Sequence, residues 1–295
     1  MPFYTKAHQP VRNAMEKAIN AWGEANIKSI AYAQVEDFLA SLNLAPKTKK
    51  NTLDALKQFW SWTVARYDIP PMKAWPALGH IDMKVRRIVT VDDQELILGK
   101  IAETERGRPR AWLAIKWLAT YISIRPGEML SLTEGQIDRN RGLLTILPEH
   151  AKEHRLKVIP LLDADLDLLS QFPPDHTSLP FFRHEDGRYA GQRFGPQLLW
   201  KIWKTACAAL GLEGVDLYGG TKHSTATALR RVASYDEVRK ATGHTTNKAF
   251  DRYLRLEGEA MKGLYARRQE LLSVPDNALT MNFEESEELK IKYLQ

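Results

Sequence analysis

Two histidines and a glutamate near the middle of the chain have the spacing of a zinc-binding motif. The segment from His150 to His154 reads HAKEH and matches the pattern HxxEH of the inverted zincins. That pattern can bind a metal on a helix, where residues four apart share one face. Here it lies between two apolar runs typical of β-strands, beside Pro148. This context favours a polar hairpin loop, and we predict no metal site.

A second set of residues combines cations with a single phenol, and most of its members lie next to a break in the predicted secondary structure. In chain order the set is Arg125, Lys152, Lys222, His223, His244 and Tyr253. An arginine at a turn is usually a cap or a surface charge, and a tyrosine on a helix usually packs. The order and spacing of the set are therefore more informative than any one member.

That order resembles the tyrosine recombinases, the phage integrase family. YISIRPGEMLSLT resembles the first box of the family, in which Glu128 follows Arg125 by three residues. AKEHRLKVIPL resembles the family's β-hairpin, in which the catalytic lysine, here Lys152, precedes the proline, here Pro160, by eight residues. The resemblance implies that Glu128 orients its neighbours and has no direct chemistry.

The second and third boxes of the family complete the resemblance, which covers residues 90–260. YGGTKHSTATALR resembles the second box, and ATGHTTNKAFDRYLR resembles the third, which supplies His244 and the nucleophile Tyr253. The N-terminal segments, including FLASL and PKTKKNTLDALKQFWSW, resemble the core-binding domain of the family. The first and third boxes are the most specific of these matches.

Two positions of the second box depart from the family pattern. Lys222 stands where the second catalytic arginine belongs, and Gly219 stands where a histidine belongs. Lysine keeps the charge but lacks the planar fork that grips a phosphate at two points. Glycine offers no donor or acceptor, and Tyr218 and His223 remain open as substitutes.

The resemblance implies cleavage of a DNA strand by Tyr253 through a 3′-phosphotyrosine. A phenol ester preserves the energy of the phosphodiester bond for rejoining. Arg125, Lys222 and His244 are expected to hold the non-bridging oxygens, on which negative charge accumulates. Lys152 is expected to protonate the departing 5′-oxygen. No cofactor is implied.

Composition excludes several other classes of protein. The 295 residues are 44% hydrophobic and 26% charged, which is typical of a soluble chain with two domains. No apolar run is long enough to span a membrane, and the first ten residues lack the apolar core of a secretory signal. Cys207 is the one cysteine, so no internal disulfide is possible. We therefore predict a cytoplasmic, nucleoid-associated protein encoded by a bacterium or a phage.

The formal charge of +6 is unevenly distributed along the chain. Residues 1–90 hold 13 basic and 7 acidic residues, whereas the last twenty hold 2 basic and 5 acidic ones. A basic N-terminal end favours a polyanion partner, although a solvated surface is the alternative. Lys47, Lys49 and Lys50 begin a predicted helix and are candidate contacts to DNA phosphates.

Hydrophobic periodicity and breaks predict a mainly α protein with a small antiparallel β-sheet, an α+β class. A helical core-binding domain is expected over residues 1–80, a linker over 81–89, a catalytic domain over 90–274 and a tail over 275–295. Predicted helices of the first domain cover 11–24, 32–41 and 47–67, with Ile19 and Phe59 on their apolar faces. Those of the second include 109–122, 221–232 and 235–242. The predicted strands are 142–147 and 156–161.

The resemblance implies a C-shaped DNA clamp that performs site-specific recombination. It would act as a homo-tetramer on two double-stranded DNA sites, through a Holliday junction. The acidic and apolar tail segment 283–294 is expected to dock on a neighbouring protomer. Two alternatives stay open: a DNA-binding protein of the same fold with weak or no cleavage, and a monomeric nicking-closing enzyme like the type IB topoisomerases.

Overall fold

The structure is a computed structural model that describes residues 9–81 and 86–243. The chain divides into two compact units, residues 1–85 and 86–295. In these described ranges, no helix is both long enough and apolar enough to cross a membrane.

The first unit consists of helices, as the periodicity predicts. Its helices are α1 (Gln9–Trp22), α2 (Tyr32–Ser41) and α3 (Pro46–Val64). They share a small core of buried side chains: Ala18, Val35, Phe38, Leu39, Leu53 and Leu56. Trp22 packs against Phe38 with ring centroids 4.6 Å apart.

The buried faces of α1 and α3 are turned slightly from those predicted. Ile19 is 64% exposed and Phe59 is 40% exposed, whereas Ala14 and Ala55 are buried. α3 still buries Leu53, Leu56 and Trp60. Small residues allow the helix backbones to approach each other, so Ala14 and Ala55 are buried as well.

The second unit contains the remaining helices and the sheet. Its α-helices within the described residues are α4 (Val91–Thr104), α5 (Pro109–Thr120), α6 (Pro126–Ser131), α7 (Asp163–Leu169), α8 (Leu198–Ala209), α9 (Ser224–Leu229) and α10 (Tyr235–Thr242). The Thr90 hydroxyl caps α4 by accepting the Asp93 N–H at 3.1 Å. α5 is buried almost throughout, and α8 packs its apolar stripe on the same core.

A three-stranded antiparallel sheet lies beside these helices. Its strands are β1 (Ile137–Asp138), β2 (Leu143–Ile146) and β3 (Lys157–Pro160), in that order across the sheet. Leu144 on β2 pairs with Ile137 and with Ile159. The mainly α fold with a small antiparallel sheet is thereby confirmed, and β1 is an addition that its two-residue length hides from sequence patterns.

The core of the second unit is built around aromatic side chains. Trp117 of α5 and Trp203 of α8 have no exposed surface, and Phe181 stacks on Trp117 at 6.0 Å between centroids. Trp200 of α8, by contrast, is 42% exposed. The core holds α5 rigidly, and the chain then turns sharply from α5 into α6.

Candidate active site

Arg125 lies at the turn between α5 and α6, as its first-box position requires. It precedes Pro126 and has an extended backbone (φ −101°, ψ 155°), the conformation favoured before proline. Its N–H donates to the Glu128 carboxylate at 3.0 Å, which satisfies one free donor of the helix start. The three-residue spacing of the first box thus joins these two residues directly.

Glu128 is a buried carboxylate that binds several donors from three segments. It is 3% exposed and accepts from Arg125 Nη1 at 3.1 Å, Lys157 Nζ at 2.8 Å and the Lys152 N–H at 3.1 Å. Burial alone would raise the pKa of Glu128, but these hydrogen bonds outweigh burial and lower the pKa. Glu128 therefore stays ionised and fixes the hairpin to α6.

Glu153 and Lys157 belong to the same cluster, although sequence reasoning did not select them. Glu153 Oε1 lies 2.5 Å from Arg125 Nη1, and Glu153 Oε2 lies 3.0 Å from Lys157 Nζ. Burial opposes ionisation of Glu153, but Lys157 and Arg125 lower its pKa to about 2. One signal was available for Lys157: it lies two residues before buried Ile159 on β3, hence on the inward face.

The side chain of Lys152 is exposed and lies at the hairpin loop. The loop from Leu147 to Leu156 consists mainly of turns and bends, as predicted for the HAKEH segment. The backbone N–H of Lys152 donates to Glu128, and this hydrogen bond fixes the position of the Lys152 Cα, from which the side chain extends. In the described residues, no group of acidic, histidine or cysteine side chains could hold a metal ion.

Lys222 is buried within reach of the Arg125 cluster. It is 1% exposed, and its Nζ donates to the carbonyl oxygen of Thr242 at 3.3 Å. Burial, followed by repulsion from Arg125 and Lys157, lowers the pKa of Lys222 to about 7. The charge of the second-box cation therefore depends on pH near neutrality, and the first-box Arg125 contributes to that dependence.

A π-helical turn, Gly219–His223, carries Lys222 and runs directly into α9. The predicted helix over 221–232 thus begins two residues earlier, with a wider turn, and ends at Leu229. Such turns are rare and often occur at functional sites. Glycine at position 220 allows this turn to pack closely on Trp203, since a Cβ there would lie 2.1 Å from the Trp203 ring.

Gly219 leaves room for backbone rather than for a catalytic side chain. A Cβ on Gly219 would lie 2.4 Å from the carbonyl oxygen of Arg87. The same segment is fixed by hydrogen bonds, from the Val89 N–H to Ser224 Oγ at 2.9 Å and from Ser224 Oγ to the Gly219 carbonyl at 2.8 Å. The gap opened by the missing histidine is therefore filled by the Arg87 main chain.

Tyr218 and His223, the two possible substitutes, flank this turn. Their rings meet edge to face with centroids 5.5 Å apart, and His223 is 8% exposed. Burial would lower the pKa of Arg125, but the charges of a Tyr218 phenolate, Glu153 and Glu128 outweigh burial and raise that pKa. A neutral phenol carries no charge, so near pH 7 the two carboxylates supply this effect.

The remaining predicted site residues lie elsewhere. At the start of α3, Lys47 is exposed, Lys49 Nζ donates to the Ala40 carbonyl at 3.3 Å and Lys50 pairs with Asp54 at 2.8 Å. His244, Tyr253 and the tail over 275–295 lie outside the described residues. Their roles stay predictions.

Solved recombinase structures share the fold of this chain. XerH site-specific recombinase bound to difH substrate, a pre-cleavage complex, is 19% identical with a TM-score of 0.63; the match covers 87% of this chain and 78% of that one. A lambda integrase tetramer bound to a Holliday junction is 17% identical, with a TM-score of 0.65 and coverage of 86% and 73%. Tn1549 transposon integrase in complex with circular intermediate DNA is 12% identical, with a TM-score of 0.62 and coverage of 90% and 95%.

Sequence comparison identifies the family. No curated protein matches the chain by sequence. The profile of the phage integrase family matches residues 88–259, more than half of the chain. The matched range contains all three boxes and the hairpin. The chain therefore belongs to the phage integrase family, the tyrosine recombinases.

Proposed function

We propose that this chain is a site-specific DNA recombinase that cleaves and rejoins strands through a 3′-phosphotyrosine at Tyr253. The observation that carries the proposal is the meeting of two distant boxes. The second box packs against α5, where Thr225 Oγ1 donates to the Ala119 carbonyl oxygen at 2.7 Å, and repulsion from Arg125 contributes to the lowered pKa of Lys222. Glu128 and Lys157 support this cluster from α6 and β3.

The charges of the cluster suit a phosphoryl transfer without metal or water. The Tyr253 oxygen attacks phosphorus, the bond to the 5′-oxygen breaks, and negative charge grows on the non-bridging oxygens. Arg125 and Lys222, with His244, stabilise those oxygens. Preorganised charges of this kind contribute most where water is excluded, and the 1% exposure of Lys222 meets that condition.

Lys152 supplies the proton that the departing 5′-oxygen takes up. The Lys152 side chain is exposed, and its backbone N–H is held by Glu128. The side chain can therefore enter a DNA groove while the backbone of Lys152 stays in place. The reverse proton movement accompanies rejoining, when the 5′-hydroxyl attacks the phosphotyrosine and releases Tyr253.

Two observations support DNA as the partner: the basic residues of the first unit and the complexes in which similar proteins were solved. XerH, lambda integrase and Tn1549 integrase are described bound to DNA, which supports double-stranded DNA as the partner. Lys47, Lys49 and Lys50 contact phosphates in this proposal. A homo-tetramer on a Holliday junction follows the lambda integrase assembly, with the tail over 275–295 docking between protomers.

A second candidate, a DNA-binding protein with slow cleavage, is favoured by the second box. Lys222 replaces an arginine and loses its charge more readily, because burial lowers its pKa to about 7. The Arg87 main chain leaves no room for a histidine at position 219. Both features reduce the stabilisation of the transition state. The two candidate functions therefore use the same residues and differ in the rate of DNA cleavage.

Covalent capture separates these functions. The protein is incubated with a pool of nicked duplexes whose central bases are randomised, and complexes that survive detergent are collected and sequenced. A recombinase enriches one core sequence and links to its 3′-phosphate. Recovery of unselected sequences indicates a topoisomerase-like enzyme, and filter binding without detergent-stable complexes indicates a binding protein.

A further inference from the structure

Arg125, the residue proposed to receive the phosphate, is already paired in the structure. Its Nη1 donates to Glu128 Oε1 at 3.1 Å and forms an ion pair with Glu153 Oε1 at 2.5 Å. Glu128 also caps α6 and binds Lys157, so its position is built into the fold. Glu153 lies in the hairpin loop and caps no helix, and its one other charged partner among the described residues is Lys157.

Glu153 can move away from Arg125 and still keep Lys157 as a charged partner. One oxygen, Oε1, faces Arg125, and the other, Oε2, lies 3.0 Å from Lys157 Nζ. Oε2 is buried and makes no hydrogen bond of regular geometry in the structure. A rotation of the side chain toward Lys157 would improve that contact and free the guanidinium.

The charge balance gives such a movement a cause. Arg125, Lys157 and protonated Lys222 are countered by Glu128 and Glu153, which leaves little net positive charge for a phosphate. A phosphate approaching Arg125 is repelled by Glu153 and competes with it for the same N–H donors. Removing Glu153 from Arg125 resolves both conflicts.

We propose that Glu153 occupies the phosphate-binding side of Arg125 in the DNA-free protein and is displaced by the scissile phosphate. This proposal rests on the proposed function, in which Arg125 receives that phosphate. Glu153 thereby adds a second carboxylate to Arg125 until DNA arrives, and it lowers the affinity of the site for stray anions. It is a positioning residue and does not touch the reacting atoms.

Binding of inorganic phosphate to the free protein tests the proposal without requiring activity. Melting temperatures are measured in sodium phosphate and in sodium chloride of equal ionic strength, because a ligand that binds only the folded state raises the melting temperature. Glu153→Gln is expected to bind phosphate roughly tenfold more tightly than the unmodified protein, since a hydrogen bond between charged groups has about this effect. Adding Arg125→Ala to Glu153→Gln is expected to abolish the gain.

Glu149→Gln is the matched control, since Glu149 is an exposed residue of the same loop. It removes one negative charge from a side chain that forms no ion pair with Arg125 in the described residues, so its phosphate affinity is expected to equal that of the unmodified protein. An equal gain in Glu149→Gln and Glu153→Gln would overturn the proposal, as would a gain that persists without Arg125. If Glu153→Gln does not melt cooperatively, Glu153→Asp gives the same test, because its shorter side chain withdraws from Arg125.

Cleavage of a nicked duplex separates this proposal from the proposed function. At subsaturating DNA, Glu153→Gln is expected to form the covalent complex several-fold faster than Glu149→Gln. A slower reaction would mean that Glu153 is required in the reacting complex and would overturn the displacement. If the unmodified protein forms no covalent complex while the phosphate experiment succeeds, the recombinase chemistry fails and the pairing of Glu153 with Arg125 stands.

Discussion

The carbonyl oxygen of Arg87 fills the space into which a side chain on Gly219 would project, only 2.4 Å from the position of a Cβ. The glycine of the second box is therefore tied to the path of the segment that leads into α4. A histidine at this position would have to displace main chain that is held by Ser224. The glycine that replaces the family histidine is therefore required by the packing of the Arg87 main chain against position 219.

Restoring the family histidine by Gly219→His is expected to destabilise the protein without raising cleavage. Overpacking a filled site typically costs 1–3 kcal/mol, so the free energy of unfolding should fall by about 2 kcal/mol. The matched control is Gly99→Ala on α4, where nothing lies within 4 Å of the added methyl group. That change should stabilise the helix slightly. Denaturant unfolding measures both, and an unchanged midpoint for Gly219→His would contradict the packing described.

Arg125→Ala is expected to slow cleavage about a hundredfold or more, because a preorganised donor to the transition state is lost. The control is Arg141→Ala, which removes an exposed arginine of the same unit and should leave the rate unchanged. Single-turnover cleavage of a nicked duplex gives both rates, and circular dichroism verifies folding. A folded Arg125→Ala protein that cleaves at the normal rate would remove Arg125 from the site.

Cleavage should depend on the protonation of Lys222. Its pKa is lowered to about 7, so in the free protein its positive charge is lost as the pH rises through neutrality. Lys222→Arg keeps the charge throughout this range. At subsaturating DNA we expect the unmodified protein to lose activity on the alkaline side, and Lys222→Arg to retain it. Superimposable pH profiles would show that the charge at position 222 does not limit the reaction.

The same residue should tie stability to pH. The folded pKa of about 7 lies below the ordinary value of 10.5, so between these values the unfolded chain binds more protons than the folded one. The free energy of unfolding should therefore rise with pH across this window, and fall as the pH drops toward 7. Lys222→Met removes the titrating group and should flatten the rise. Equal slopes for the two proteins in urea unfolding would refute the burial of a titrating Lys222.

Much of the fold follows from local sequence signals. The helix over Tyr32–Ser41 was predicted at its exact bounds, because its apolar residues recur at helical spacing and its neighbours do not continue the pattern. Predictions failed where packing decides: Ile19 and Phe59 recur at helical spacing yet are exposed, whereas Ala14 and Ala55 are buried.

In the candidate site, too, some residues follow from local sequence signals and others only from tertiary packing. Motif spacing identified Arg125, Glu128 and Lys222, since those residues lie in recognisable boxes. Glu153 and Lys157 were missed, because their contacts with Arg125 and Glu128 arise only when the hairpin folds against α6. The role of Gly219 was equally inaccessible, since the Arg87 carbonyl that requires a glycine is far away in the chain.

The central claim is that Tyr253 becomes covalently joined to DNA. Its most direct measurement is mass spectrometry of the protein digested after capture on a nicked duplex. We predict a nucleotide 3′-phosphate on the peptide containing Tyr253, and no covalent complex with Tyr253→Phe, which should still bind DNA because only the phenolic oxygen is lost. A detergent-stable complex formed by Tyr253→Phe, or a phosphate mapped to a different residue, would contradict the claim.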